Sequence, residues 1–254
     1  MKKLFTILMT AILAVMACVG LTGCNSKKVV LGFDADFPPY GYVENGKYVG
    51  FDIEFAQKVC ANLGYDLELK PIDWDSKDAM LDSGAIDFIW NGFTYQGREN
   101  DYEWTAQYLN NSIVVLTLDA NIQALTDLSG KKVAVQSDSS GEEAINKNTA
   151  LKDSFASLSV ESQYVIANEK LIAGGYDAII VDYGVAKYLK GQNNNLIIVA
   201  EAVSTETYAV GFKKGNTELC KVINDEMVKV GKNETFIKGL CEKYGVEYEA
   251  FLLK

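Results

Sequence analysis

Two successive runs of alternating strand and helix patterns limit this chain to a small set of folds. The elements predicted along the first run are a strand Val29–Phe33, a helix Phe51–Leu63 ended by Gly64, a strand at Leu67 and Leu69, a short helix capped by Asp75 and stopped by Gly84, and a strand Ile86–Trp90. This β-α-β-α-β order predicts an α/β fold with a mostly parallel sheet covered by helices.

The pattern starts again after an apolar strand at Ile113–Leu118. The predicted elements of this second run are a strand Lys132–Val135, a helix from Gly141, a strand near Tyr164 and Val165, a helix Asn168–Ala173, and a strand Ala178–Val181. A weak internal repeat supports the division, because residues 81–89 align with residues 171–179 as a helix end, a glycine, an aspartate and a buried strand. We therefore expect two lobes of similar build.

The N-terminus has the features of an export signal. Lys2 and Lys3 precede an apolar run, Leu4–Val19, that is too short to span a bilayer permanently but fits the apolar core of a signal peptide. The following Leu21-Thr22-Gly23-Cys24 resembles a bacterial lipobox. We expect residues 1–23 to be removed, Cys24 to be lipidated and residues 24–27 to form a short leash; the alternative is an ordinary buried cysteine.

Charge and composition exclude several function classes. The chain has 24 basic and 34 acidic residues, a net charge of −10 that opposes binding to a phosphate backbone and favours a small or cationic partner. It contains no histidine, which excludes Ser-His-Asp and Cys-His nucleophilic sites and argues against a zinc site. We expect no metal, cofactor or nucleic acid partner.

Three cysteines follow Cys24 without CxxC spacing. Cys60 lies on the apolar face of a predicted helix, where a buried thiol is expected. Cys220 and Cys241 lie in consecutive C-terminal helices, and the sequence leaves open whether they form a disulfide or two buried thiols.

Ligands of open α/β sheets bind beyond the carboxyl ends of the strands. That rule selects four segments: Asp34–Tyr40, Asn91–Arg98, Gln136–Gly141, and Asp182 with Tyr183. The chemistry of these segments suits an amino acid. Ser140 and Glu143 form a capping-box pattern at a helix terminus whose free amides attract a carboxylate.

The other groups complete that interpretation. Arg98 suits bidentate binding of a carboxylate, Asp182 suits an ammonium group, and Phe37, Tyr40 and Trp74 offer flat apolar walls. Each also has a role without a ligand: Ser140 and Asp182 as helix caps, Arg98 as a solvated surface residue, and the aromatic residues as packing. The prediction depends on their common position at strand ends.

The chain resembles the family 3 solute-binding proteins, the amino-acid receptors of ABC importers, over nearly its whole mature length. The motifs that carry this resemblance are residues 32–40 (GFDADFPPY), 49–53 (VGFDI), 73–75 (DWD), 84–87 (GAID), 128–136 (LSGKKVAVQ) and 177–182 (DAIIVD). The resemblance implies a two-lobed, type II periplasmic-binding-protein-like fold. We expect lobe 1 to contain residues 28–117 and 208–254 and lobe 2 to contain residues 118–207, with hinges near Val115–Leu118 and Glu206–Tyr208.

The resemblance also implies roles for individual residues. Arg98 and Ser140 would hold the ligand α-carboxylate, and Asp182 would bind the α-ammonium with help from Gly92 and Thr94, while Asp34 would meet the far end of the ligand. The predicted ligand-binding set is Asp34, Phe37, Trp74, Asn91, Gly92, Thr94, Arg98, Ser139, Ser140 and Asp182.

Two departures from the family pattern stand out. One residue fewer separates Thr94 from Arg98 than is usual, so this loop must turn more tightly, with Gly97 the residue suited to it. Some relatives pair a cysteine at the Cys60 position with one seven residues later, where this chain has Leu67.

The functional expectation is a membrane-anchored, extracytoplasmic receptor that delivers a polar or basic amino acid to the membrane subunits of an ABC importer. Arginine, lysine, glutamine and cystine are the candidates. Two alternatives stay open: an enzyme of the same fold that dehydrates small acids, for which Asp34, Asp182 or a glutamate would be the acid or base, and a sensory lipoprotein.

Overall fold

The computed structural model describes residues 26–254, in which the chain builds two main sheets flanked by helices. The predicted signal peptide and Cys24 lie outside the described residues. The strands are β1 Lys28–Phe33, β2 Asp36–Phe37, β3 Gly41–Glu44, β4 Lys47–Val49, β5 Asp66–Pro71, β6 Phe88–Ile89, β7 Tyr102–Trp104, β8 Leu109–Thr117, β9 Lys132–Gln136, β10 Ser157–Glu161, β11 Ala178–Asp182, β12 Ile197–Ile198, β13 Ser204–Tyr208 and β14 Gly211–Lys213.

The helices pack on both sheets. They are α1 Phe51–Leu63, α2 Lys77–Asp82, α3 Ser140–Lys147, α4 Thr149–Ser154, α5 Tyr164–Ile172, α6 Tyr183–Gln192, α7 Thr217–Gly231 and α8 Glu234–Tyr244, with short 3-10 turns at Trp74–Ser76, Leu125–Leu128 and Tyr248–Ala250. Within residues 26–254, no helix combines the length and the apolar character needed to cross a bilayer.

The first sheet has the strand order β5-β1-β6-β14-β7. Its strands β5, β1 and β6 are parallel, as the β-α-β-α-β pattern predicts, whereas β14 and β7 join in antiparallel orientation. Because β14 enters from the C-terminal part of the chain, the first sheet is assembled from two separate segments.

The second sheet has the order β10-β9-β11-β8-β12, and β13 also pairs with β8. Here β10, β9 and β11 are parallel, and β8 runs antiparallel to β11, β12 and β13. The parallel strands of both sheets point their carboxyl ends towards the space between the lobes, which is where the strand-end rule predicts a ligand.

Helix α1 shows how local sequence defines an element. Phe51, Phe55 and Val59 recur at helical spacing and are fully buried. The helix ends at Gly64, whose φ of 71° is left-handed and favours glycine. The sequence prediction for this helix is confirmed at both ends.

Two local predictions are wrong. The strand expected near Tyr164 lies earlier, at Ser157–Glu161, and Tyr164 begins helix α5. The edge strand alternates serine with apolar residues and is half-exposed, so its apolar signal is weak. Asp75 does not cap α2, because a 3-10 turn begins one residue before it.

The lobe boundary requires a correction. Strand β8, which we assigned to lobe 1, pairs along its length with β11 and β13 and so belongs to the second sheet. The two segments that connect the sheets pair with each other just before β8 and after β13. There, Thr105 N donates to Val210 O at 3.1 Å and Tyr108 N donates to Tyr208 O at 2.8 Å. We therefore propose a hinge near residues 105–108 and 208–210, and a lobe 2 that begins at β8.

The three described cysteines are buried free thiols. Cys220 and Cys241 do not form the disulfide that the sequence left open, and Cys60 lies on the buried face of α1. Burial raises the pKa of the Cys60 thiol to about 12, which keeps it protonated and unreactive.

Candidate functional site

A cavity lies between the two sheets, where the strand-end rule predicts a ligand site. All ten residues of the predicted set line it, together with Gln136, which the set did not include. The lining residues are Asp34, Phe37, Trp74, Asn91, Gly92, Thr94, Arg98, Gln136, Ser139, Ser140 and Asp182.

Asp34 follows β1 and forms one end of the cavity, which we call the distal end. Its Oδ1 accepts from Asp36 N at 2.8 Å, and its Oδ2 accepts from Gln136 Nε2 at 2.7 Å. Desolvation raises the pKa of this 3% exposed carboxyl to about 6. Near neutral pH, Asp34 is therefore a buried carboxylate, and no lysine or arginine of residues 26–254 pairs with it.

The segment after β6 forms the floor. Asn91 Oδ1 accepts from Asp34 N at 2.8 Å, and Gly92 N donates to Asp52 Oδ2 at 2.6 Å. Gly92 has a φ of 57°, and a Cβ there would come within 2.7 Å of the Phe37 ring, so only glycine fits. Asp52, whose pKa burial raises to about 7, thus holds the glycine that approaches the ligand space.

Arg98 is the only arginine of the sequence. Its side chain is 13% exposed, and its Nη2 lies 3.3 Å from Glu143 Oε2 on the opposite side of the cleft. The guanidinium also lies over the Phe93 ring at 5.7 Å. The shortened loop turns at Gly97, whose φ is 84°, as expected from its sequence.

Helix α3 points its N-terminus at the cavity, with a correction to its cap. Ser139, not Ser140, is the N-cap: its Oγ accepts from Glu142 N at 3.1 Å, while the Glu142 carboxylate accepts from Asp138 N at 2.7 Å. The pattern Ser-x-x-Glu occurs at both serines, so the sequence alone did not distinguish them. The Ser140 hydroxyl therefore does not cap the helix. The first amides of α3 have no acceptors within the helix and remain available to a ligand.

Asp182 ends β11 at the other end of the cavity, which we call the hinge end. It does not cap α6 with its side chain. Its Oδ1 accepts instead from Asn111 Nδ2 at 2.9 Å and from the Tyr208 hydroxyl at 2.5 Å. Asn111 Nδ2 also donates to Glu206 Oε1 at 2.8 Å, so a second buried acid stands beside Asp182.

Aromatic side chains close the sides of the cavity. Phe37 is buried and stacks on Tyr40 with ring centroids 5.4 Å apart. Trp74 contacts Phe93 edge-on at 5.5 Å and is half-buried. Phe37 is therefore fixed by packing, whereas Trp74 stands at the mouth.

Several contacts cross the cleft. Gln136 Nε2 donates to Asp34 Oδ2, Gln163 Nε2 donates to Asp36 Oδ2 at 2.6 Å, and Lys77 forms an ion pair with Asp138. Lys77 is 1% exposed, which is unusual for a lysine. These contacts describe a closed arrangement of the two lobes.

The prediction from sequence did not include three residues of the site. Gln136 lay in a selected segment but was not chosen, because glutamine alone carries little chemical signal. Asn111 and Glu206 lie on antiparallel strands of the second sheet, and the strand-end rule for parallel strands does not select them. An acid within the predicted hinge segment Glu206–Tyr208 is the sequence signal that could have found Glu206.

Comparison with known proteins assigns the family. Residues 29–247 match the model of bacterial extracellular solute-binding proteins, family 3. The L-cystine-binding protein TcyJ of Escherichia coli K12 is 33% identical over 222 residues, which cover 85% of this chain and 82% of that protein. The arginine-binding extracellular protein ArtP of Bacillus subtilis 168 is 29% identical over 240 residues, covering 87% and 92%.

A solved structure of similar fold supports the same family assignment. The substrate-binding protein of an ABC uptake transporter from Streptococcus pneumoniae, with bound histidine, superposes with a TM-score of 0.83 at 30% identity, covering 88% of this chain and 94% of that one. The type II periplasmic-binding-protein fold expected from the sequence is confirmed. This chain belongs to the family 3 bacterial extracellular solute-binding proteins.

Proposed function

We propose that this protein captures a polar or basic amino acid between its lobes and delivers it to an ABC importer. The observation that carries the proposal is one cavity, lined from both sheets, at which the sole arginine, a helix N-terminus and a buried aspartate meet. Arg98 and the first amides of α3 suit a carboxylate, and Asp182 suits an ammonium group. The ten predicted residues are thus the proposed ligand-binding set.

The distal end favours a basic side chain. Asp34 is a buried carboxylate without a cationic partner among the described residues, and a ligand cation there would compensate its desolvation. Arginine and lysine are therefore expected to bind more tightly than glutamine. Cystine offers a second ammonium group to the same carboxylate, and relatives of this chain include both arginine- and cystine-binding proteins.

Lobe closure supplies the transport signal. Asp34 and Arg98 belong to lobe 1, and Ser140 and Asp182 to lobe 2, so a ligand makes its full set of contacts only when the lobes meet. That differential affinity drives closure. A receptor that delivers its ligand to a membrane importer has to stay close to the membrane. The lipobox-like Leu21–Cys24 would supply the lipid anchor that keeps it there. Replacing Cys24→Ala is expected to move the protein from the membrane fraction to the medium.

A thermal-shift screen against the common amino acids and cystine tests the function first, because a ligand in excess raises the melting temperature. Calorimetry of Arg98→Ala with the best ligand tests the site. We expect binding to be lost while the melting temperature of the ligand-free variant stays close to that of the wild type. Lys131→Ala is the matched control, because it also removes a cation from an ion pair, the one with Asp119, but neither of these two residues lines the cavity. Unchanged affinity in Arg98→Ala would contradict the assignment.

Two further assays separate the alternatives. Prolonged incubation with L-arginine should return the amino acid chemically unchanged, whereas a product would favour a dehydratase-like enzyme. Deletion of the gene should reduce uptake of the bound amino acid, whereas normal uptake would favour a sensory lipoprotein.

A further inference from the structure

Two acids of the hinge end lie side by side because of strand order. Strand β8 runs between β11 and β13, and Asn111 on β8 is directly opposite Glu206 on β13. One nitrogen, Asn111 Nδ2, donates to Asp182 Oδ1 at 2.9 Å and to Glu206 Oε1 at 2.8 Å. Both carboxyls therefore face the same small volume.

No cation within residues 26–254 forms an ion pair with either acid. Asp182 is 3% and Glu206 6% exposed. The groups that face them from the surrounding elements are neutral: the hydroxyls of Tyr40, Tyr164, Tyr208, Ser140 and Thr94. Arg98 lines the same cavity, but its guanidinium pairs with Glu143. Asp52, behind Gly92, adds negative charge.

Ionising both of two buried carboxyls around one amide group costs free energy, because each charge loses its solvation and the two charges repel each other. Desolvation is the largest cause that raises the pKa of both acids, and repulsion from the Asp182 charge raises the pKa of Glu206 further, to about 8. The pair therefore favours holding a proton near neutral pH. A ligand ammonium beside it would reverse this preference, since a cation favours the ionised form of both acids.

We propose that Glu206 is a second acid for the ligand ammonium group, and that Asp182 and Glu206 share one proton in the ligand-free protein and release it when an α-ammonium binds. This inference rests on the proposed function. The proton leaves a carboxyl oxygen for the solvent buffer, and no bond of the ligand changes.

The arrangement does not need lobe closure. Asp182, Asn111 and Glu206 lie on adjacent strands of one sheet, so the open protein keeps the pair that the closed protein uses. Proton release is therefore tied to arrival of the ammonium group and not to closure alone. As a result, affinity should rise with pH until the free pair has lost its proton.

Calorimetry in two buffers of different ionisation enthalpy measures the protons released. With L-arginine at about pH 7, the wild type should release close to one proton, and Glu206→Gln should release almost none. Glu249→Gln is the matched control, because that side chain is 91% exposed, and it should behave as the wild type. A guanidino acid that lacks the α-amino group, 5-guanidinopentanoic acid, should release no proton.

The outcomes are distinct. Proton release that depends on Glu206 and on the α-ammonium supports the inference. Tight binding of L-arginine without buffer dependence, or with equal release in Glu206→Gln, overturns it and leaves the proposed function standing. Absence of binding by L-arginine and by every other amino acid of the screen overturns the proposed function and the inference together.

Discussion

The hinge end and the distal end of the cavity are built in different ways. At the hinge end, Asp182, Asn111 and Glu206 come from adjacent strands of the second sheet and are held by hydrogen bonds within that sheet. At the distal end, Asp34 comes from the first sheet and is held by Gln136 from the second. The first arrangement exists before the lobes meet, whereas the second forms on closure.

This difference matches the two parts of an amino acid. The α-ammonium group is common to all candidate ligands, and a preformed acid pair can capture it while the lobes are open. The side chain distinguishes one ligand from another, and a distal end assembled by closure can test it before the closed state is stabilised. Specificity and the transport signal are then coupled in one step.

The largest effect is expected from Asp182→Asn. Removing one charge of a buried ammonium–carboxylate pair typically costs about 2–5 kcal/mol, so affinity should fall by a factor of at least about 30. Because the hinge end binds the shared group, L-arginine and L-glutamine should lose affinity to the same degree in calorimetry. A loss confined to L-arginine would contradict the assignment of the hinge end to the α-ammonium group that both amino acids share.

Asp34→Asn should have a smaller and selective effect. A hydrogen bond to a charged group contributes about 1.5–3 kcal/mol, so binding of L-arginine should weaken by about 10- to 100-fold. L-glutamine, which carries no side-chain charge, should change by less than about threefold. Equal weakening of both amino acids would show that the distal end does not select on charge.

The pH dependence of stability should distinguish the two ends without a ligand. Burial raises the pKa of Asp34 to about 6, that of Asp52 to about 7 and that of Glu206 to about 8. Between the ordinary carboxyl pKa values and these, the folded protein binds more protons than the unfolded chain, so stability falls as pH rises, by at most about 1.4 kcal/mol per proton and pH unit.

We therefore expect the melting temperature of the ligand-free protein to fall by several degrees between about pH 5 and pH 8. Glu206→Gln should flatten the part of this fall near pH 8, whereas Asp34→Asn should change it less, because the distal end is completed only on closure. A melting temperature that rises across this range would contradict the burial of these acids.

The smallest effect is expected from Lys77→Met. The ion pair between Lys77 and Asp138 crosses the cleft and exists only when the lobes are closed. Its loss, at about 1 kcal/mol, should speed ligand dissociation about fivefold in stopped-flow measurements and leave association unchanged. Lys213→Met, whose pair with Asp82 lies within lobe 1, is the matched control and should not change dissociation.

The fold and much of the candidate site followed from local patterns. The parallel strands place their carboxyl ends together by geometry, so Asp34, Asn91, Ser139 and Asp182 could be expected at one cavity without knowledge of any contact. Helix α1 was predictable for a similar reason, because its apolar spacing and Gly64 act within one segment.

The remaining features depend on pairings between distant segments. Strand β8 was assigned to the wrong lobe because nothing in its apolar sequence shows that it pairs with both β11 and β13. Asn111 and Glu206 were missed for the same reason. Burial of Lys77 was also beyond the sequence, since lysine is normally solvated and its partner Asp138 is distant in the chain.

A crystal structure of the protein with L-arginine tests the account most directly. It should show one arginine in the cavity, with its carboxylate on Arg98 and the first amides of α3, its α-ammonium between Asp182 and Glu206, and its guanidinium against Asp34. An arginine bound in the reverse orientation, or bound outside this cavity, would contradict the account.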